Sequence, residues 1–302
     1  MPSGLSDLHR HLDGSLRPST LAEFARRAGR ELPHDLPFHA GMGLDAALSK
    51  FAFTLSLLQE PAAVRRVASE ICEDAAADGV TTLEIRFAPQ LHQGAPIEAI
   101  VDAAVEGAEG RAGVVLCGLY GEDVKILDQL VAVAASRAGV VGIDLAGGPS
   151  SAHGFVLRDY APAFRKAAEF GLGRTVHAGE GRPPEEIRTA IEALGANRIG
   201  HGTTLLDDPR ALELVLERGV AIEACITSNV HVGAIADVAE HSIAKWLALG
   251  VRATICTDNT LLSQVSATSE HAVARSLPGM TAQLLATAVT NGHAAAFRRI
   301  SR

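Results

Sequence analysis

Eight short β-rich runs, spread over 302 residues and separated by stretches of helical periodicity, predict a (β/α)8 barrel of the TIM type. It would be a single α/β domain spanning residues 1–302. Three observations carry this expectation. The alternation of strand-like and helix-like segments implies a parallel sheet. Eight units in a chain of this length favour a closed barrel over an open doubly wound sheet. The first run also leads into "HRHLDG", where a dinucleotide-binding sheet would carry GxGxxG. Finally, the polar residues that interrupt the runs fall at their C-terminal ends, which in a barrel meet at one mouth.

The β runs cover roughly Ser6–Leu8, Thr81–Phe87, Gly113–Leu119, Val140–Leu145, Gly173–Val176, Arg198–Ile199, Val220–Cys225 and Arg252–Cys256. The helices between them are announced by their ends. "PAAVRRVASEICEDAAADG" starts at Pro61 and stops at Gly79, and "PIEAIVDAAVEGAEG" likewise runs from a proline to a glycine. "PPEEIRTAIEALG" opens on prolines and acids and closes at Gly195, as the helix dipole favours. "DDPRALELVLERG" and "SIAKWLALG" repeat the pattern, and "LSKFAFTLSLLQ" (48–59) reads as an amphipathic helix.

Apolar residues make up 47% of the chain, enough for a sizeable core, while aromatics are only 4%, so Leu, Ile, Val and Ala must fill it. The net charge is −8 with both signs interspersed, and no basic stripe points to nucleic acid or a membrane. Cys72, Cys117, Cys225 and Cys256 form neither a CxxC pair nor a disulfide ladder, so buried free thiols are expected. The opening "MPSGLSDLHRHLDG" has no apolar signal core and no apolar run reaches spanning length, so a cytoplasmic protein is expected. No pattern in the sequence fixes an oligomeric state.

In order, the polar strand-end residues are His9 and His11, Gln90, Glu122 and Asp123, Asp144 and Gly147, His177 and Glu180, His201, Ser228 and Asn229, and Asp258 and Asn259. His9 and His11 sit at i and i+2, so alternation puts both on the inner face, half of a metal site. A histidine pair alone is weak, because single histidines are often satisfied core groups. Adding His177 and Asp258 gives three imidazoles and a carboxylate, a set that suits Zn²⁺. Glu180 follows His177 by three residues, so the chain must turn at Ala178-Gly179, where glycine permits it. Glu180 is then a candidate proton donor or acceptor, or else a glutamate that merely favours a helix N-terminus. His201, between two glycines, is a candidate base or electrostatic partner for the nucleophile. The other eight histidines are expected at the surface, with His92 and His231 as exceptions because they follow strands.

"LHRHLDG" (8–14), "EIRFAPQ" (84–90), "IDLAGGP" (143–149), "TVHAGEG" (175–181), "RIGHGTTLLDDP" (198–209), "SNVHVGAI" (228–235) and "CTDN" (256–259) resemble the adenosine deaminase family in order and spacing, across nearly the whole chain. The resemblance implies one catalytic Zn²⁺ per chain, held by His9, His11, His177 and Asp258. It implies that Glu180 protonates purine N1 and that His201 helps deprotonate and orient the nucleophilic water. The Gly147 N–H would meet N3, Asn259 would meet N7, and Asp13 would bind the ribose end; His11 would also face the substrate. The implied activity is hydrolytic deamination of adenosine, and of 2′-deoxyadenosine, to inosine and ammonia in purine salvage, with a small aminopurine nucleoside as the partner molecule.

This chain departs from the family pattern in places. Asn259 stands where many members carry a second aspartate, but an amide donates at any pH. Strand 3 ends "LCGLYGED", without the basic residue expected near Tyr120, and Ile226 replaces a proline. Asp13, where free-adenine relatives tend to carry glutamate, favours a nucleoside. The 48–59 segment resembles the family's apolar lid and equally fits a core helix. Deamination of another 6-aminopurine, such as a 5′-substituted adenosine or free adenine, remains open. So does a barrel that binds nucleoside or zinc without turnover, against which the intact set His177, Glu180, His201 and Asp258 speaks. The H-x-E…PCxxC pattern of cytidine-type deaminases is absent. A binuclear amidohydrolase would place a carboxylated lysine at the end of strand 4, where Asp144 stands.

Overall fold

A computed structural model describes residues 4–150 and 152–297; the first three residues of the opening stretch and the five that end the chain lie outside it. Eight parallel strands follow one another around a single sheet in sequence order. They are β1 Leu5–His11, β2 Val80–Phe87, β3 Gly113–Leu119, β4 Val140–Ala146, β5 Gly173–Ala178, β6 Arg198–His201, β7 Ala221–Ala224 and β8 Arg252–Ile255. The helices are α1 Pro18–Arg27, α2 Leu44–Leu57, α3 Pro61–Ala77, α4 Ile97–Ala108, α5 Val124–Ala135, α6 Ala161–Glu169, α7 Glu185–Glu192, α8 Pro209–Arg218, α9 Ile226–His231, α10 Ile243–Ala248, α11 Ala267–Ser276 and α12 Ala282–Ala295. Every β run expected from the sequence is present.

The strands differ from the expected runs mainly at their C-terminal ends. β1 continues through His11, β5 through Ala178 and β6 through His201. Strand pairing uses backbone groups, so a polar side chain at the mouth does not end it. β7 and β8 stop one residue short of Cys225 and Cys256, which are nonetheless buried, as are Cys72 and Cys117; all four are free thiols.

The barrel closes through the residue after β8. Arg10 and Asp258 form a parallel bridge, His11 N–H donates to Asp258 O at 2.7 Å, and Asp258 N–H donates to His9 O at 2.7 Å. Of the residues expected to bind metal, His9, His11 and Asp258 therefore lie on the closing seam.

The barrel wall is covered on the outside by the Leu-, Ile-, Val- and Ala-rich faces of the helices, with Trp246 fully buried. Its interior is not purely apolar. Arg86 donates to Asp144 Oδ2 and Glu223 Oε2, each at 2.9 Å, and Arg198 donates to Glu223 Oε1 at 2.6 Å and to Glu84. These charges are removed from water, so each is tolerable only because it is paired.

One expectation is overturned. His241 and His271, assigned to the surface, are 5% and 7% exposed. Local polarity does not report what packs above a loop or helix. His92 is buried, as its position after a strand suggested, and its Nδ1 lies 2.5 Å from Leu58 O.

Candidate active site

Four donor atoms meet at the barrel mouth. His11 Nε2 lies 3.3 Å from His9 Nε2, 3.2 Å from His177 Nε2 and 3.4 Å from Asp258 Oδ1, while His9 Nε2 lies 3.5 Å from that same oxygen. Separations of this size are what donors at about 2.0–2.2 Å from one small cation would show.

The tautomers make the same point. His9 Nδ1 lies 2.7 Å from Glu223 Oε2, and His177 Nδ1 lies 3.1 Å from Asp144 Oδ2. A carboxylate accepts only, so both Nδ1 atoms carry the proton and both Nε2 atoms turn lone pairs inward. Converging lone pairs and a carboxylate oxygen repel one another unless a cation sits among them. Burial holds His9 and His11 well below the ordinary imidazole range. For His177 burial works in the same direction, but the Asp144 charge outweighs it and raises the imidazole. Burial would raise Asp144 too, yet His177 and Arg86 hold it well below the usual carboxylate range. His9, His177 and His201 also bring donor atoms within 4.8 Å of one another. Asn229 engages His201 Nδ1 at 2.9 Å, which leaves its Nε2 for the cavity.

Beside this cluster opens a cavity of about 360 Å³ lined by His11, His177, Asp258, Asp13, Glu180, His201, Gly147 and Asn259. The remaining walls are largely apolar and include Leu48, Phe51 and Leu55 of α2. Every residue singled out at the strand ends for metal or substrate therefore faces one space except His9, which is fully buried behind the cavity wall with its Nε2 beside His11 Nε2 and Asp258 Oδ1.

Glu180 is reached as expected. β5 ends at Ala178, Gly179 takes φ +66°, and α7 starts only at Glu185, so Glu180 belongs to the turn and not to a helix terminus. Burial raises its carboxyl to about 7, against the opposing pull of Arg182. Asp13 is likewise raised to about 7 by burial. Its Oδ1 and Asn259 Oδ1 are buried without a hydrogen-bond partner among the described residues, which marks both as places for a polar ligand. Gly14 leaves room for Asn259: a Cβ there would lie 2.0 Å from Asn259 Oδ1. His201 and Asp258 adopt φ of 67° and 62°, left-handed values that cost energy for non-glycine residues and concentrate at functional sites.

Other strand-end residues turn elsewhere. Gln90 donates to Glu122 Oε2 at 2.9 Å, and Asp123 caps α5 by accepting from Lys125 N–H. Ser228 stays at the site, where it donates to Asp258 Oδ2 at 2.5 Å. The basic group missing from strand 3 comes from another loop. Arg182 lies over the Tyr120 ring at 5.8 Å, and its Nη2 shares the His177 carbonyl with the Tyr120 hydroxyl, at 3.2 and 2.8 Å.

Sequence reasoning missed Glu223, Arg86 and Arg182, and the part of Asp144 in orienting His177. Glu223 had left a sign, as a lone acid inside the apolar run "VAIEAC".

The model of the family described as "Adenosine deaminase" matches residues 5–301. The chain belongs to the adenosine deaminase family. The adenosine deaminase of Serratia proteamaculans is 36% identical, over 97% of this chain and 93% of its own. Among solved structures, adenine deaminase from Arthrobacter aurescens superposes with a TM-score of 0.88 at 23% identity, over 98% of this chain and 94% of its own. The N6-methyl-AMP deaminase of Arabidopsis thaliana superposes with a TM-score of 0.84 at 25% identity, over 97% and 91%. This deaminase is thus a hydrolase of C–N bonds on a metal-capable barrel. No described helix is long and apolar enough to cross a membrane.

Proposed function

We propose that this chain is a zinc-dependent adenosine deaminase that converts adenosine, and 2′-deoxyadenosine, with water into inosine and ammonia. The observation that carries the reading is Glu180, a buried carboxyl raised to about 7 and set in one cavity with His11, His177, His201 and Asp258. His9, His11, His177 and Asp258 would hold the ion, a donor set suited to Zn²⁺. When bound, the metal supplies Lewis acidity and an oxygen nucleophile at neutral pH.

Glu180 gives its proton to purine N1, which makes C6 electrophilic; the oxygen of water adds at C6, one of the water protons leaves with the amine as ammonia and the other restores the Glu180 carboxyl. His201 orients the attacking oxygen. The Asn259 amide donates to N7 and the Gly147 N–H to N3, which sets the face of the ring. Asp13 accepts from a ribose hydroxyl. The apolar face of α2 excludes water from the ring.

A neutral nucleoside is favoured over a nucleotide, because the cavity wall contains carboxylates and no lysine or arginine among the described residues. The four free, buried thiols suit a reducing compartment, consistent with a cytoplasmic place in purine salvage, and we read residues 1–302 as one unit.

The test is the ultraviolet spectrum of adenosine with the zinc-loaded protein, beside Glu180→Gln, AMP and adenine. Conversion of adenosine, with AMP far slower, is expected. Glu180→Gln should be slower by about 10²–10⁴-fold. No conversion by folded, metal-loaded protein would sink adenosine as the substrate.

A further inference from the structure

We propose that His241 and Asn229 form a hydrogen-bond relay that fixes the proton of His201 on Nε2, so that His201 enters the cavity as a donor. The catalytic consequence rests on the deaminase reading above; the tautomer does not.

The relay starts at a group with no freedom. Ile243 is the first residue of α10, so its N–H has no partner within the helix and can only donate. It lies 3.2 Å from His241 Nδ1, which must accept. His241 is packed edge-on to Trp246, with ring centroids 5.3 Å apart. Burial lowers it to about 3, so it is neutral. A neutral imidazole with a lone pair on Nδ1 carries its proton on Nε2. That atom faces Asn229 Oδ1 at 3.3 Å.

Turning the amide over would set two donors against each other, so the orientation of Asn229 is settled. Its Nδ2 then donates to His201 Nδ1 at 2.9 Å. His201 is 1% exposed, and its remaining nitrogen, Nε2, carries the proton toward the cavity. Glu180 Oε1 lies 3.5 Å from His201 Nδ1, but that nitrogen is occupied by the amide. The relay thereby keeps the proton of His201 apart from that of Glu180.

In this arrangement His201 donates a hydrogen bond to the attacking oxygen and to the charge that develops on it, and does not accept a proton there. His241 and Asn229 touch neither substrate nor metal donors; they are positioning residues that act through His201.

The experiment is a long-range proton–nitrogen spectrum of metal-loaded protein labelled with ¹⁵N-histidine. His201 is assigned by the loss of its signals in His201→Gln. The wild type should show the Nε2–H tautomer. Asn229→Asp, whose carboxylate only accepts, should move the proton to Nδ1. His241→Phe keeps a ring against Trp246 but removes the donor. It should lower kcat about 10- to 100-fold with little change in KM, and His241→Gln should restore most of it.

An Nδ1–H tautomer in the wild type, or an unchanged tautomer in Asn229→Asp, overturns the relay. If His241→Phe does not fold, Asn229→Asp decides alone. Wild-type protein that shows the expected tautomer but does not deaminate adenosine would reject the function while leaving the relay standing.

Discussion

Glu223 and Asp144 touch no substrate, yet they decide which nitrogen His9 and His177 turn toward the cavity. Glu223 also receives Arg86, Arg198 and the Thr175 hydroxyl, the last at 3.0 Å, so its geometry is held from several sides. Converting either carboxylate to an amide keeps the shape but removes the charge that steadies the imidazole proton. Glu223→Gln and Asp144→Asn should each weaken metal binding about 10- to 100-fold, as read by competition with a chelator. Unchanged affinity in both would mean that the donor atoms are set by packing alone. Glu223 carries the greater risk, because it pairs with both buried Arg86 and buried Arg198, whereas Asp144 pairs with Arg86 alone of the two, so Asp144→Asn is the cleaner variant.

At the scale of elements, α2 covers the cavity with a partly exposed apolar face. Leu48 is 42% exposed and Phe51 half-buried, with the Phe51 ring 6.1 Å from Phe38 and 6.2 Å from His11. Apolar side chains left partly wet over a cavity are what a cover over a flat ring requires, and this favours the lid over the core-helix reading. Phe51→Ala should raise KM roughly tenfold, since about 1–2 kcal/mol of ring contact is lost, with kcat changed much less. A fall in kcat at constant KM would assign α2 to the chemistry instead.

A second tie joins α9 to α11, where buried Glu270 accepts from Thr227 N–H at 3.2 Å and contacts the Thr227 hydroxyl. Burial raises its carboxyl to about 7. Between its ordinary range and that value, the folded chain holds a proton that the unfolded chain has released. The folded state is therefore favoured at low pH, and this contribution is lost as pH rises through about 7. Glu270→Gln stays neutral throughout and should lack that decline. Urea unfolding at about pH 5 and about pH 8 should show the variant gaining up to about 3 kcal/mol relative to wild type. Parallel behaviour of the two proteins would show that Glu270 is ionised in the fold.

The whole molecule closes on its own site. The backbone bonds between His9, His11 and Asp258 complete the barrel, and the side chains of the same residues supply three of the four donors. An ion bound there ties the first strand to the end of the last. Metal removal should lower the melting temperature. Saturation at about a hundred times the dissociation constant is worth about 2.7 kcal/mol. The loss should appear first as faster hydrogen exchange at the His11 and Asp258 amides. Equal exchange with and without metal would mean that closure rests on the sheet alone.

The sequence by itself determined the architecture and most of the candidate site. Strand and helix periodicities are local, and prolines and glycines mark where they stop, so the eight-fold alternation could be read without any long-range contact. The i, i+2 pitch of His9 and His11 and the turn before Glu180 are equally local. Tertiary structure alone decided which strand-end residues share the cavity and which turn away, as Gln90 and Glu122 do. It decided that Glu223 meets His9 across 214 residues of chain, and that His241 is buried against Trp246 and within reach of Asn229. These pairings are set by closure of the barrel and by the path of each loop across its mouth. No short window of sequence contains the geometry that makes a charged or titratable side chain bearable in the interior.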